Sequence, residues 1–527
     1  MLCDTFLYFW HLFMQTEIYL DTNATSPVLP AAAAAAMAAM QDGFGNPSSS
    51  HATGLRARAL RENVRASAGR VVGSGDGRLM FNSGATEGIQ TAVLSALCAV
   101  RERRARGEAC GDIVLIGATE HKAIPESLAH WNRLLGTDLE LRMLPVDGDG
   151  RHRLDVLRAL APRAALVCTM AANNETGVVT DLRGIEAVLR DVGSDTGSAA
   201  LWLVDCVQAL GKLPLDLAAS RIDYAPFSGH KLYAPKGIGM LYVRRGAPYT
   251  PLMCGGGQED GQRSGTENMA GIAALGAVFS ALERGDTFRD GAALLACRAR
   301  LVAALEAALP GIVFNAPLAQ SLPTTINFSV PDVASATLLD LFDAAGMRVS
   351  AGSACSAGKA GSSYVLDAMG LPAWRSAAAV RLSFGALLDD ASLDLACERI
   401  ARCGAALATP MAVAGAEPAI DGAIDSAMLV PADAARDWLA THPDAIVIDV
   451  RDLREHSVAG TVRLHGHTVR NVPLACVADE APQWLGATAP LLFVCRSGAR
   501  SARAAQALRT LGHPGAWSLV GGFALAI

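Results

Sequence analysis

The sequence predicts an α/β architecture followed by a second, smaller α/β unit. Three observations predict it. From about residue 78 to 245, short apolar runs alternate with helical patterns. From about 286 to 400 the apolar runs thin out and helices flank them, which suits a smaller α+β lobe. After an aperiodic stretch with Pro and Gly at 408–427, the alternation resumes over about 100 residues. At 527 residues the chain is too long for one ordinary core, and two or three domains are expected.

The elements follow in chain order. The opening "MLCDTFLYFWHLF" is apolar but short, with no basic flank and no small-residue cleavage site, so it does not read as a signal peptide. Met14 stands just before "QTEIYLDTNATSP" and reads as the natural start, with 1–15 a non-native extension. "DIVLIGA", "AALVCTMA", "ALWLVDCVQ" and "GIGMLYV" are apolar throughout, as strands covered on both faces must be. Helices are expected at 89–100, 181–192 and "AGIAALGAVFSAL" (270–282). "TTINFSV", "MRVSAG" and "AVRLSFG" supply the strands of the smaller lobe. The first unit spans 16–407, the linker 408–427 and the last unit 428–527. That last unit holds strands "AIVIDVR" and "PLLFVCRSG" and the helix "SARAAQALRTLG".

Composition narrows the function. The formal charge of −6 gives no sign of nucleic-acid binding. No apolar run reaches the roughly 18 residues of a membrane helix. Twelve cysteines are scattered with no Cys-x-x-Cys pair, which argues against a metal site within the chain. A reducing cytoplasm with free thiols is the expectation.

The segment "FSGHKLYAPKG" (227–237) places Lys231 among small and ring-bearing residues. A partly desolvated lysine is a nucleophile toward an aldehyde, and pyridoxal phosphate is the common aldehyde cofactor. It needs a carboxylate at its ring nitrogen, donors for its phosphate and something flat on its ring. Asp205 ends the strand "LWLVD", at the edge where α/β sheets bind ligands. Gln208 can donate to the ring oxygen. "NSGATEG" (82–88) leads into a helix, so Ala85 and Thr86 would offer N–H groups to phosphate. His121, in "TEHKA", can stack on the ring. Taken singly, each of these has a structural reading: a cap, a turn, a core histidine.

Together with these residues, several segments resemble the signatures of cysteine desulfurases, which belong to the class V aminotransferases of pyridoxal-phosphate fold type I. They are "SGHKLYAPKGIGMLYVR", "NNETGV" (173–178), "VDCVQALGK" (204–212), "GGGQEDGQRSGTEN" (255–268) and "GSACSAG" (352–358). The resemblance runs from about Ile18 to Leu407. It implies a Schiff base at Lys231, phosphate contacts from Ser228 and His230, and cofactor or substrate contacts from Asn174 and Gln208. Thr266 would reach a phosphate of the partner in a homodimer. Arg381 would clamp the substrate carboxylate. Cys355 would take the sulfur of L-cysteine as a persulfide, leaving alanine. Its Gly, Ser and Ala-rich segment (350–363) suits a swinging loop. There are departures. "DTNAT" (21–25) stands for the usual "DNAAT", and Asp260 stands where a basic residue is common. Glycines follow Cys355 where Pro and an acidic residue often stand.

"IDVRDLREH" (448–456), "VCRSGARSA" (494–502) and "LVGGFA" resemble a rhodanese domain, a sulfur carrier. Cys495 then opens a loop of N–H groups with Arg496 and Arg500 nearby, and Asp449 and Arg451 brace it. The Cys-x4-Arg spacing disfavours a phosphatase, which uses one residue more. "AGTVRLHGHTVRNVPL" (459–474) replaces the usual "GHIPGA" segment, which leaves a degenerate docking domain open. A flexible linker of this length spans roughly 25 Å, an effective concentration on the order of millimolar. Sulfur could thus pass from Cys355 to Cys495 and on to acceptor proteins, for iron–sulfur clusters, tRNA thiolation or another pathway. Rival readings are a selenocysteine or cysteine-sulfinate lyase, a sulfur-carrier or docking protein, and a thiosulfate sulfurtransferase working through Cys495.

Overall fold

The structure is a computed structural model that describes residues 17–196, 200–351, 362–409, 423–460, 462–486 and 488–526. The proposed extension 1–15, Cys355 and most of the linker lie outside the described residues. Among the described residues no helix is long and apolar enough to cross a membrane.

Seven strands build the main sheet: β1 (Arg78–Asn82), β2 (Ile113–Gly117), β3 (Glu140–Leu144), β4 (Ala164–Met170), β5 (Leu201–Asp205), β6 (Tyr224–Ser228) and β7 (Gly239–Val243). Their order is β1-β7-β6-β5-β4-β2-β3. Every pairing is parallel except those of β7, which runs antiparallel to β1 and β6. Alternation within β5 shows why the runs are wholly apolar. Trp202 and Val204 enter the core on one face, and Leu201 and Leu203 the core on the other. Helix α1 (Ala52–Val72) and helix α2 (Ala85–Ala105) lie on opposite faces.

Pro226 sits inside β6. Its carbonyl faces β5, where it accepts from the Cys206 N–H at 3.3 Å, so its missing donor lies on that side too. The β5–β6 ladder accordingly registers only Leu203 with Tyr224. Asp205 and Ser228, at the ends of these two strands, both line the central cavity.

The smaller lobe carries an antiparallel sheet of β8 (Val313–Phe314), β9 (Thr325–Ser329), β10 (Ser350–Ala351) and β11 (Val380–Ser383), in the order β10-β11-β9-β8. Helix α3 (Ser335–Ala344) precedes β10, and helix α4 (Asp390–Ala408) closes the lobe. The last unit has a six-stranded sheet: β12 (Leu429–Val430), β13 (Ile446–Asp449), β14 (Arg463–Leu464), β15 (His467–Asn471), β16 (Leu491–Val494) and β17 (Ala516–Leu519). The order is β12-β17-β16-β13-β15-β14, parallel apart from the β14–β15 hairpin.

This unit docks on the smaller lobe through helix α5 (Leu453–Ala459). Val458 is 2% exposed and belongs to the apolar core of the smaller lobe, beside Leu338, Leu341 and Ile400. Arg402 of α4 donates to the Val458 carbonyl, and Arg454 donates to the Thr409 carbonyl at 2.9 Å.

Candidate active site

A cavity of about 620 Å³ opens at the C-terminal edge of β4, β5 and β6. It brings together Ala85, Thr86, His121, Asn174, Asp205, Gln208, Ser228, His230, Lys231 and Arg381. Of the first-unit site residues singled out from sequence that the structure describes, only Thr266 is missing from its walls. Thr266 is exposed and away from this cavity, and Cys355 lies outside the described residues.

The anion cradle is built from backbone. Helix α2 starts at Ala85, earlier than the apolar pattern suggested, with Gly84 as its cap at φ 150°. A β-carbon on Gly84 would stand 3.8 Å from the Ser228 hydroxyl, so that hydroxyl lies beside the free N–H groups of the helix start. Gly239 lets β7 pass. A β-carbon there would meet the Gly84 Cα at 2.6 Å and the Phe227 carbonyl at 2.5 Å. His230 contacts the Thr25 hydroxyl through Nδ1 at 3.1 Å. Burial, then Lys231 and Lys236, push its imidazole down to about 4, so it is neutral near pH 7.

Asp205 is 6% exposed and accepts the Val207 N–H at 2.9 Å through one oxygen. Burial raises its pKa, against the pull of that N–H, of His121 and of Lys231. A cationic ring nitrogen is the partner such a carboxylate lacks. His121 Nδ1 accepts the Ala123 N–H at 3.2 Å, which leaves the ring proton on Nε2. Lys231 Nζ donates to the carbonyls of Asn23 and Ala24, both at 2.6 Å.

Arg381, on β11, is 1% exposed. It donates to Asp21 at 2.6 Å and to the Asn174 carbonyl at 2.9 Å. Its Nε and the Asn174 Oδ1 are buried with no partner among the described residues. Orphaned polar atoms of this kind are costly unless a ligand answers them. A cradle of helix N–H groups and a hydroxyl, a buried carboxylate, a lysine and these orphans fit a phosphorylated pyridine aldehyde with an amino-acid substrate.

Other residues of the site escaped the sequence reading. Asn23, Glu175 and Tyr364 line the same cavity, Lys212 donates to Gln208 from behind it, and Glu120 interacts with Asp205. Glu175 is buried, accepts from Ser363 at 2.6 Å and is pushed up to about 7 by burial. Glu120 is buried with neither oxygen partnered among the described residues, and burial together with Asp205 raises its pKa strongly. Asn23 and Lys212 stood inside "DTNAT" and "VDCVQALGK", yet neither segment shows alone that the two meet.

In the last unit Cys495 follows β16 and is 1% exposed. Its Sγ accepts from the Gly498 N–H at 3.2 Å and the Ser501 N–H at 3.4 Å. Gly498 sits at φ 92°, which aims its N–H into the loop. Asp449 is fully buried and grips Arg451 at 2.9–3.1 Å. Arg451 stacks on Phe523 at 4.4 Å, and the Phe523 N–H donates to the Cys495 carbonyl at 2.9 Å. The expected brace is therefore indirect. Arg496 and Arg500 are close to the loop, but both are paired with carboxylates. Arg500 grips Glu455 at 2.5 and 2.8 Å, and Arg496 reaches Asp340 of α3 at 2.8 Å.

Fold and cavity together define a type I α/β enzyme of the pyridoxal-phosphate kind, followed by a rhodanese-like unit. The family model for class V aminotransferases matches residues 18–395, and that for rhodanese-like domains matches 432–525. The chain belongs to the class V aminotransferase family and carries a C-terminal rhodanese-like domain. It is 38% identical over 379 residues to a cysteine desulfurase of Gluconacetobacter diazotrophicus, covering 72% of this chain and 90% of the relative. A cysteine desulfurase of Cereibacter sphaeroides is 37% identical over 381 residues, covering 72% and 93%. Among solved structures, a NifS-like protein superposes with a TM-score of 0.64 at 29% identity, covering 73% of this chain and 98% of its own. DndA from Streptomyces lividans gives 0.55 at 32%, covering 69% and 98%. The activity these findings support is cysteine desulfuration, and the family is pyridoxal-phosphate dependent.

Proposed function

We propose that this chain converts L-cysteine to L-alanine with a persulfide on Cys355, and then hands the sulfur to its own Cys495. The observation that carries the relay is the Asp340–Arg496 ion pair at 2.8 Å. It seats the Cys495 loop on the lobe whose helix α3 leads, through β10, into the Cys355 segment. Cys355 follows Ala351, the last residue of β10, by four positions in the sequence.

Pyridoxal phosphate, when bound, supplies an electron sink for the substrate Cα. Lys231 would hold it covalently and, once freed, would take the Cα proton. Ser228, His230 and the start of α2 at Ala85 and Thr86 would hold the phosphate, and Asp205 would keep the ring nitrogen protonated. His121 would lie against the ring. Arg381 and Asn174 hold the substrate carboxylate.

The Cys355 thiolate attacks the substrate sulfur. An S–S bond forms, the Cβ–S bond breaks with its electron pair, a proton goes to Cβ, and return of the Cα proton from Lys231 completes alanine. Then the Cys495 thiolate attacks the outer sulfur, and Cys355 leaves as a thiolate with no net redox change. The Gly498 and Ser501 N–H groups that already face the thiol would hold the persulfide anion on Cys495. A second copy of the chain completes the site through Thr266. Met37, Met40 and Phe44, at 50%, 55% and 72% exposure, give a dimer an apolar patch to cover. The cytoplasm suits the free thiols, and the acceptor is a downstream sulfur-carrier or scaffold protein.

The test is a single turnover with ³⁵S-cysteine and peptide mapping under non-reducing conditions. Label should appear on Cys355, then on Cys495. In Cys495→Ser it should stay on Cys355 while alanine still forms. Label on Cys495 in Cys355→Ala would overturn the relay.

A further inference from the structure

Behind the cavity wall formed by Gln208 and Asn23 stands another lysine. Lys212 lies seven residues after the end of β5, and its Nζ donates to Gln208 Oε1 at 2.6 Å and to Asn23 Oδ1 at 3.1 Å. Two carboxamides therefore turn their oxygens to one amine. The consequence for each is fixed by donor chemistry. A lysine only donates in its charged form and still donates when neutral. Gln208 must then present its NH₂ on the other side, and Nε2 indeed donates to the Asn23 carbonyl at 3.1 Å. Asn23 must likewise present Nδ2 away from Lys212, and it donates to Thr325 Oγ1 at 2.9 Å and to the Asn174 carbonyl at 3.2 Å. The Asn23 N–H is tied to Ser383 Oγ at 3.0 Å. Asn23 is thus clamped from both lobes, and its carbonyl is also one of the two that Lys231 reaches.

Neither acceptor of Lys212 is an anion, which is unusual for a lysine whose amine is held partly away from water. Burial, then the charges of Lys231 and Arg381, push its amine down to about 7. A lysine kept there for stability alone would be matched with a carboxylate. This one is matched with the amide that faces the cavity.

We propose that Lys212 is a positioning residue that locks the Gln208 carboxamide, so that its NH₂ rather than its oxygen faces the cofactor's ring oxygen. This rests on the reading of Gln208 as a donor to that oxygen. Without Lys212 only the Asn23 carbonyl, bound by Nε2, still opposes a turn of the amide that would bring its oxygen against the ring oxygen, two acceptors in contact.

The test is a thermodynamic cycle on the holoenzyme read by absorbance. The pH midpoint of the bound chromophore and the rate at which the cofactor dissociates are measured for wild type, Q208A, K212M and the double variant. A donor to the ring oxygen favours its ionised form, so losing it should shift the midpoint upward and speed dissociation. Q208A and K212M should each shift the midpoint by a similar amount and raise the dissociation rate by roughly threefold to tenfold, about 0.7–1.4 kcal/mol by the tenfold-per-1.4 rule. K212M should add nothing in the Q208A background. K212R, still a donor, should restore the midpoint. Additive shifts, or an unchanged midpoint in K212M where Q208A moves it, overturn the role of Lys212. An unchanged midpoint in Q208A overturns the reading of Gln208 itself. Circular dichroism of each apoprotein separates these outcomes from misfolding.

Discussion

Replacing Asp340 by Asn removes one negative charge from the contact between the two units and leaves the side-chain volume unchanged. Asp340 stands 2.8 Å from Arg496 and 3.6 Å from Arg500, and its side chain is 26% exposed. Partly exposed ion pairs of this kind contribute about 0.2–1 kcal/mol each. Taken together the two come to about 1 kcal/mol, a factor of about five in the docked population. The apolar anchor at Val458 is untouched, so docking is weakened and not abolished. In a single-turnover experiment with ³⁵S-cysteine, appearance of label on Cys495 should slow by about threefold to fivefold in D340N at low salt. Alanine formation with a small thiol as acceptor should not change, because Asp340 touches nothing in the lysine cavity. At 0.5 M salt the Debye length falls to about 4 Å, and the difference between D340N and wild type should close. Equal transfer rates at low salt would refute the reasoning that this ion pair seats the carrier for transfer. Equal loss of transfer and alanine formation would show that Asp340 acts on the lobe itself.

Other perturbations probe the rest of the framework. Val458→Asp puts an unpaired charge into the smaller lobe's core and should undock the carrier, slowing transfer more than D340N at every salt concentration, as rapid-quench labelling would show. Gly239→Ala drives a β-carbon to 2.5 Å from the Phe227 carbonyl and 2.6 Å from Gly84, so cofactor retention should fall and stability drop by about 2–4 kcal/mol, read by absorbance and urea unfolding. Gly522→Ala sets a β-carbon 2.0 Å from the Cys495 carbonyl at a backbone φ of 54°, and should abolish persulfide formation on Cys495 while sparing alanine production. Glu175→Gln should change the pH dependence of stability. The folded carboxyl is raised to about 7 from 4.5, so the native state holds a proton that the unfolded chain has already lost. Wild-type stability therefore falls between pH 4.5 and 7, by on the order of 3 kcal/mol relative to the glutamine variant, and the gap stays constant above. Parallel urea midpoints for the two proteins across that range would show that Glu175 is ionised throughout.

How much of this was legible beforehand depends on the distance over which each feature is encoded. The strands of the main sheet are continuous apolar runs, so burial on both faces was visible in each run alone. Asp205 and Lys231 were legible because each sits at a recognisable local punctuation, a strand end and a Ser-Gly-His turn. The apolar pattern starts helix α2 at 89, four residues after its first turn at Ala85, because Ala85–Gly88 carry no apolar period. Asn23 and Lys212 stand in two of the recognisable segments, but their pairing joins positions 189 residues apart. A donor-only amine between two carboxamide oxygens has no linear signature.

The arginines beside Cys495 carry the same lesson further, because their meaning changed with their partners. Read from "VCRSGARSA", Arg496 and Arg500 are cations placed to stabilise a sulfur anion. In the fold, Arg500 is neutralised by the buried Glu455 and Arg496 by Asp340 from another unit. The donors that meet the sulfur are backbone N–H groups, beside the Ser501 hydroxyl at 3.5 Å; every residue except proline possesses such an N–H, so the sequence does not reveal them. Charge that sequence assigns to sulfur chemistry is used by the structure to join the carrier to the lobe behind the Cys355 segment. If sulfur passes as proposed, an electrostatic contact of that kind makes the ionic strength of the solution, and not the length of the linker alone, a control on the transfer.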